Sequence, residues 1–251
     1  MGHRSLVLQA SRTARSLAID GLQSIVLRLI STIPPAQLNL TLIDPMGQGR
    51  NVELIMQLAD HDEHLVNSKV GIESSDIETH LAALADHIER ISQNYLVGPY
   101  TTLDEYQTHA GKISEPYRIL VVLDVPYELN QAAAHHLATI LQHGPRCGIY
   151  TILLTDASDP LFPHIQTGDL AQLATLFTWE DEHFVWQDED YRPCRLVLDA
   201  LPDRIFTGYL IDMVGKAAVE AHQGHFAFER IAPTAETWWS RQSREGIMIP
   251  L

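Results

Sequence analysis

Residues 116–124 read Pro-Tyr-Arg-Ile-Leu-Val-Val-Leu-Asp, a continuous apolar run that one carboxylate, Asp124, closes. An apolar run without alternation is typical of a strand whose two faces are both covered, as in the centre of a parallel sheet. In open sheets of this kind, ligands bind outside the carboxyl ends of the strands. We therefore expect Asp124 to lie where a nucleotide-binding protein would hold Mg2+.

Strands and helices alternate on both sides of this run. Further strands are predicted at residues 6–10, 38–44 and 148–155, with amphipathic helices between them. This alternation predicts an α/β fold with a mostly parallel sheet flanked by helices. We expect the first two strands to pair in parallel, and the strands through Leu6 and Leu120 to lie side by side.

The helix boundaries carry their own signals. Ser75 is followed three residues later by Glu78, which is a capping-box pattern for the start of a helix. Residues 103–106 open a shorter helix, and residues 128–143 form another that Gly144 and Pro145 end.

The last hundred residues are less regular. Strands at 173–179 and 183–187 predict a hairpin, a further strand is predicted at 194–198, and a helix follows Pro202. They predict a small β-rich C-terminal extension. We expect a core domain at residues 1–160, completed by residues 161–224, and a linker at residues 225–251.

Bulk composition narrows the possible partners. The chain has 251 residues and a net charge of -15, with 17 basic against 32 acidic side chains, so a broad DNA-binding surface made by this chain alone is not expected. No apolar run approaches a membrane span, and the strand at Leu6 leaves no room for a signal peptide. Cys147 and Cys194 match no metal or redox spacing. These features predict a cytoplasmic protein without membrane contact.

The order of these segments resembles the RecA-like, P-loop NTPase motor domain of the FtsK/SpoIIIE family of DNA-pumping ATPases. The resemblance covers residues 5–160 and is most specific at residues 43–47 (Ile-Asp-Pro-Met-Gly), 103–106 (Leu-Asp-Glu-Tyr) and 148–155. It implies ATP and Mg2+ as cofactors, a homo-oligomeric ring, and DNA bound by the whole assembly. Residues 247–251 look like the lead-in to a following module, which implies an adjacent active ATPase module in the same polypeptide.

The segment at the place of the phosphate loop departs from the family pattern. Such a loop needs glycines for close backbone approach, a lysine for the terminal phosphates, and a serine or threonine for Mg2+. Residues 9–16 contain neither glycine nor lysine, and Ser11 and Arg12 fill the loop. Arg15 stands at the place of the lysine and does not replace its compact charge, whereas Ser16 retains a possible Mg2+ ligand.

The remaining motifs depart in the same direction. Asp124 is followed by Val125 instead of the glutamate that polarises water in the family, and Thr155 is followed by Asp156, a carboxylate that would repel a γ-phosphate. We therefore expect a degenerate nucleotide site with no catalytic and no metal-binding residues, in a module that is structural or regulatory beside an active one. Arg15 or Arg146 is a candidate for reaching a neighbour's site.

Alternatives remain open at this point. Asp44 with Gly47, in the loop at a strand end, and Asp124 also have the sequence of simple turn or helix caps. A second class of function is a degenerate module of a type VII secretion-like, protein-translocating ATPase that docks a substrate, and a third is an unorthodox but competent ATP-binding domain. The acidic run at residues 180–190 is read as a solvated hairpin or as a docking strip for a basic partner, and residues 61–64 (His-Asp-Glu-His) as a surface turn.

Overall fold

The computed structural model describes residues 4–34, 37–110, 115–156 and 167–222, and only the backbone of residues 167–169 and 222. The predicted linker at 225–251, with Trp238, Trp239 and the lead-in at 247–251, lies outside the described residues. The strands are β1 (Ser5–Ala10), β2 (Leu38–Ile43), β3 (Tyr117–Val125), β4 (Ile149–Asp156), β5 (Ala174–Glu180), β6 (His183–Trp186) and β7 (Arg195–Leu196). The helices are α1 (Arg15–Thr32), α2 (Glu53–Met56), α3 (Ser74–Asn94), α4 (Leu103–Ala110), α5 (Gln131–His143), α6 (Thr167–Leu173) and α7 (Arg204–His222), with 3-10 turns at Arg50–Val52, Gln57–Asp60 and Pro145–Cys147.

The described strands form one sheet in the order β2-β3-β4-β1-β5-β6-β7. The five strands from β2 to β5 run parallel, and β6 and β7 continue the sheet in antiparallel fashion. The predicted α/β fold, with a mostly parallel sheet and a small β-rich extension, is therefore confirmed.

The expected neighbours of β1 were wrong. Ile152 of β4 pairs with Leu6 of β1 on one side and with Val121 of β3 on the other, so β1 and β3 do not lie side by side. Likewise β1 and β2 run parallel without pairing, because β3 and β4 lie between them. The physical reason is that strand order is set by pairing between segments that are distant in the sequence, which a pattern local to each strand does not reveal.

The two faces of β3 supply the core of two helical layers. Ile119, Val121 and Leu123 face the layer that contains α1, whereas Leu120 and Val122 face α3 and α5. All five side chains are buried. The sequence predicted that both faces of this strand are covered, and the structure confirms it.

Helix starts differ from the sequence expectations by a few residues. α3 begins at Ser74 with Glu73 as its N-cap, so the predicted capping box at Ser75 was wrong. Glu78 instead accepts a hydrogen bond of 2.7 Å from the side-chain amide of Asn130. Asn130 in turn caps α5, because its side chain accepts the backbone N–H of Ala133 at 2.8 Å.

The C-terminal extension contains the predicted hairpin and helix. β5 and β6 join through a tight turn in which Asp181 and Glu182 both have positive φ, a backbone typical of two-residue hairpin turns. α7 packs near α1, and its buried Ile211 and Ala218 belong to the same hydrophobic core as the buried residues of α1. Its opposite face carries apolar side chains that the described residues leave exposed, namely Ile205, Phe206, Tyr209 and Met213.

Neither a membrane-spanning helix nor a metal-binding cluster is present among the described residues. None of the described helices is both long and apolar enough to cross a bilayer. The described part of the chain also contains no cluster of three or more histidine, cysteine or acidic side chains placed to hold a metal ion. In the His61–His64 turn, His64 instead contacts the carboxylate of Asp62 at 2.8 Å.

A buried histidine links α3 to the start of β3. The Nδ1 atom of His87 lies 2.6 Å from a terminal nitrogen of Arg90, and its Nε2 atom accepts a hydrogen bond of 3.2 Å from Nε of Arg118. Burial, followed by the positive charges of Arg118 and Arg90, lowers the pKa of His87 to about 4. The imidazole is therefore neutral in the folded protein at neutral pH.

This lowered pKa predicts acid sensitivity of the fold. Between pH 6.5 and 4 the unfolded chain binds a proton at His87 that the folded chain does not, so the free energy of unfolding should decrease as the pH falls through this window. Urea unfolding at several pH values should show a weaker loss of stability for His87→Gln than for the wild type. The matched control is His135→Gln, at an exposed position of α5; equal pH slopes for His87→Gln and the wild type would contradict the prediction.

Candidate functional site

A cleft of about 790 Å³ opens at the carboxyl ends of β1, β3 and β4. Since these three strands are parallel neighbours in the sheet, the residues that follow them converge at one edge. This is the place where ligands bind in open α/β sheets. The residues that line the cleft are Ala10, Ser11, Arg12, Arg15, Met46, Asp124, Val125, Pro126, Tyr127, Leu154, Thr155 and Asp156.

The segment between β1 and α1 is a closed turn. The backbone N–H of Ala14 donates to the carbonyl of Ser11 at 3.0 Å, which joins the two ends of a four-residue turn. The hydroxyls of Ser11 and Thr13 also contact each other at 2.8 Å. The Ala14 N–H is therefore satisfied within the segment and is not directed at a ligand.

Arg15 and Asp124 form a bidentate ion pair across the cleft floor. Nε and a terminal nitrogen of Arg15 donate to the two carboxylate oxygens of Asp124 at 2.5 and 2.6 Å. The Asp124 side chain is only 5% exposed, whereas that of Arg15 is 32% exposed. The hydrogen bond to Asp124 raises the pKa of Arg15 against the opposing effect of burial, with smaller contributions from the charges of Asp124 and Asp44. A metal ion at Asp124 would have to displace this guanidinium.

Asp44 acts as the cap of its own loop. Its carboxylate accepts the backbone N–H groups of Gly47 at 3.1 Å and Asn51 at 3.0 Å, and also the Asn51 side-chain amide at 2.9 Å. The side chain is fully buried. A Cβ atom at Gly47 would collide with both the Asp44 carboxylate and the Asn51 amide, so only glycine fits there. The Asp-Pro-x-Gly pattern therefore has a structural cause in this loop.

The end of β4 is also occupied by internal contacts. The hydroxyl of Thr155 donates to the backbone carbonyl of Val125 at 3.0 Å and is buried. Asp156 lies 4.0 Å from the Nε of Arg12, whose side chain is 94% exposed. Thr155 thus connects β4 to the end of β3, and Asp156 places a second carboxylate in the cleft.

Most of the predicted site residues meet in the cleft. Ser11, Arg12, Arg15, Asp124, Thr155 and Asp156 line it, whereas Ser16 is exposed on α1 and Asp44 and Gly47 lie in the neighbouring loop. Sequence reasoning missed Met46, Pro126 and Tyr127, which add an apolar and aromatic wall. Only the position of Tyr127, two residues after the end of β3, could have indicated it.

The charge of this edge does not favour a polyanion. Within the cleft the carboxylates of Asp124 and Asp156 balance the guanidiniums of Arg12 and Arg15. Because β5 runs parallel to β1, its hairpin turn at residues 180–182 (Glu-Asp-Glu) extends from the same edge and adds further negative charge.

Comparisons with solved structures identify the fold. The chain is similar to EssC (ATPases 2 and 3) from Geobacillus thermodenitrificans, with a TM-score of 0.65 and 14% identity over 88% of this chain. It is also similar to the pCW3 conjugation coupling protein TcpA, solved with ATPgS (0.62, 11% identity, 85% of this chain). A third similar structure is Thermomonospora curvata EccC (ATPases 2 and 3), solved with a signal sequence peptide (0.61, 14% identity, 86% of this chain).

These structures are FtsK/SpoIIIE-type ATPase modules, and the chain shares their RecA-like fold, as the sequence resemblance implied. The chain spans 44%, 65% and 42% of the EssC, TcpA and EccC chains. No protein-family model and no curated protein matches the sequence.

The loop capped by Asp44 predicts an intolerant glycine. Gly47→Ala should lower the free energy of unfolding by about 2–3 kcal/mol, because its methyl group overpacks buried polar groups that cannot move away. The control is Gly208→Ala in α7, where a Cβ meets nothing within 4 Å and helix propensity should add about 0.5–1 kcal/mol. Urea unfolding measures both, and a Gly47→Ala variant as stable as the wild type would refute this account of the loop.

Proposed function

We propose that this chain is a RecA-like module with a degenerate nucleotide site, which serves a structural or regulatory role beside an active ATPase module of the same polypeptide. The observation that carries the proposal is the bidentate Arg15–Asp124 ion pair. In this pair the guanidinium of Arg15 binds the carboxylate that would otherwise hold Mg2+. The similar structures support the proposed neighbouring module, because those of EssC and EccC each contain two ATPase modules, ATPases 2 and 3.

Bound ATP and Mg2+ fit the residues of the cleft poorly. The turn at residues 11–14 is closed by its own hydrogen bond, and a triphosphate would find no lysine there. Both oxygens of Asp124 accept from Arg15, and no acidic side chain follows Asp124 to activate water. Asp156 and the turn at 180–182 would repel a γ-phosphate. We therefore assign no catalytic step to this module.

Titration with a fluorescent ATP analogue and Mg2+ tests the proposal. We expect no saturable binding at nucleotide concentrations up to about 1 mM, which corresponds to a binding free energy less favourable than about -4 kcal/mol. Asp124→Asn separates the alternatives by the sign of its effect. In a competent site the substitution removes a metal ligand and weakens binding, whereas here it frees Arg15 and leaves binding unchanged or strengthens it.

Arg12→Gln is the matched control for this titration, because Arg12 lies in the cleft but is exposed and does not pair with Asp124. Saturable nucleotide binding by the wild type that is lost in Asp124→Asn and retained in Arg12→Gln would overturn the proposal and favour a competent ATP-binding domain.

A second candidate concerns the substrate of the whole assembly. The sequence resemblance implies a DNA translocase, and a ring of such modules would bind DNA together. The net charge of -15 and the acidic edge of the cleft favour a protein partner docked on this module instead, as in a protein-translocating ATPase.

A DNA mobility-shift series distinguishes these two substrates. Phosphate contacts weaken steeply with salt. We expect no shift of duplex DNA by this chain even at about 50 mM salt. A shift that disappears between low and physiological salt would instead support direct DNA binding by the module.

A further inference from the structure

Arg90 and Arg118 flank His87 at the opposite end of the sheet from the cleft, and these three residues are called the His87 cluster below. Arg118 is the second residue of β3, and Asp124 lies six residues further on, so the two ends are separated by roughly 20 Å. Arg90 comes from α3, one turn after His87. The carboxylate of Glu115 lies 3.7 Å from Arg90.

The hydrogen-bonding groups of this cluster do not match. A guanidinium only donates, and a neutral imidazole offers one lone pair and one N–H. Both ring nitrogens of His87 nevertheless face a guanidinium nitrogen, at 2.6 Å from Arg90 and 3.2 Å from Arg118. One of the two contacts therefore places an N–H against an N–H. This arrangement would be relieved if an acceptor drew one guanidinium away from the ring.

The charges of the cluster do not match either. Among the described residues, Arg118 has no carboxylate within ion-pair distance. Burial lowers its pKa, and the negative charge of Glu115 opposes that effect only in part. Glu115 is shared, because it also accepts a hydrogen bond of 3.4 Å from the hydroxyl of Tyr95. Two guanidiniums and one carboxylate leave a net positive charge. A partly buried cation whose hydrogen-bond partner is a neutral imidazole instead of an anion is costly, and a bound anion would offset that cost.

We propose that Arg90 and Arg118 form a binding site for a small oxyanion of the phosphate class, between α3 and the amino end of β3. Guanidinium groups bind phosphate and carboxylate oxygens through charge-assisted hydrogen bonds. A phosphate presents more acceptor oxygens than a carboxylate does, so it can accept hydrogen bonds from both guanidiniums at once. An anion can approach this site from the side of Arg90, because the Arg90 side chain is 54% exposed. His87 is buried and lies at the inner end of the site.

Inorganic phosphate is the probe for this site. At constant ionic strength and pH 7, we expect saturable phosphate binding by calorimetry, with acetate binding more weakly. Phosphate should also shift the ring nitrogen NMR signals of His87, because a guanidinium leaves the imidazole. Arg118→Gln and Arg90→Gln should each weaken phosphate binding about tenfold. Glu115→Gln should strengthen it about fivefold, because a competing carboxylate is removed.

Arg12→Gln is the control, since Arg12 is the exposed guanidinium of the distant cleft. Phosphate binding lost in Arg12→Gln but unchanged in Arg90→Gln would place the anion in the cleft and overturn the proposal. Equal binding by all variants, with no change at His87, would indicate an adventitious ion only and overturn it as well. Arg90 is exposed, so its variant keeps the test valid if Arg118→Gln fails to fold. The outcome is independent of nucleotide binding at Asp124.

Discussion

Two-sided burial of the central strands is the constraint on which the rest of the structure depends. Side chains of β3 alternate between the helical layer of α1 and that of α3 and α5, so the sheet needs a helical cover on each face. Parallel neighbours joined by such covers end at a common edge, and the cleft lies there. The cleft is therefore produced by the layered core and does not depend on which side chains line it. Site chemistry can change while the fold remains.

The Arg15–Asp124 ion pair illustrates this separation. A buried carboxylate at a strand end needs a positive partner, because an unpaired charge in such a place is strongly unfavourable. In a nucleotide-binding site a metal ion supplies that charge, and here a guanidinium from the first turn of α1 does so. In either case a positive charge balances the carboxylate at this position of the fold. In this structure the charge of the Asp124 carboxylate is therefore balanced by a cation of the chain itself.

Periodicity and apolar runs predicted the strands, the main helices and the hairpin, because each of these signals is local. The strand order could not be predicted, since nothing in the sequence near Leu6 indicates that Ile152 is its partner. The capping box at Ser75 failed because Glu78 is used by Asn130, 52 residues away in sequence. At the site, the residue types were apparent from the sequence. The bond from Arg15 to Asp124 depends on side-chain geometry that only the folded chain provides.

The two edges of the sheet have a consequence for association. Along the outer side of β2, Leu65, Asn67 and Gly71 exchange backbone hydrogen bonds with Leu40 and Leu42, which leaves few backbone groups there for another strand. At the other edge, β7 is only two residues long and offers a short template. Both are devices that suppress edge-to-edge aggregation. For the sheet formed by the described residues, assembly by strand addition is thus disfavoured, and contacts with another protein would rely on helix faces and loops.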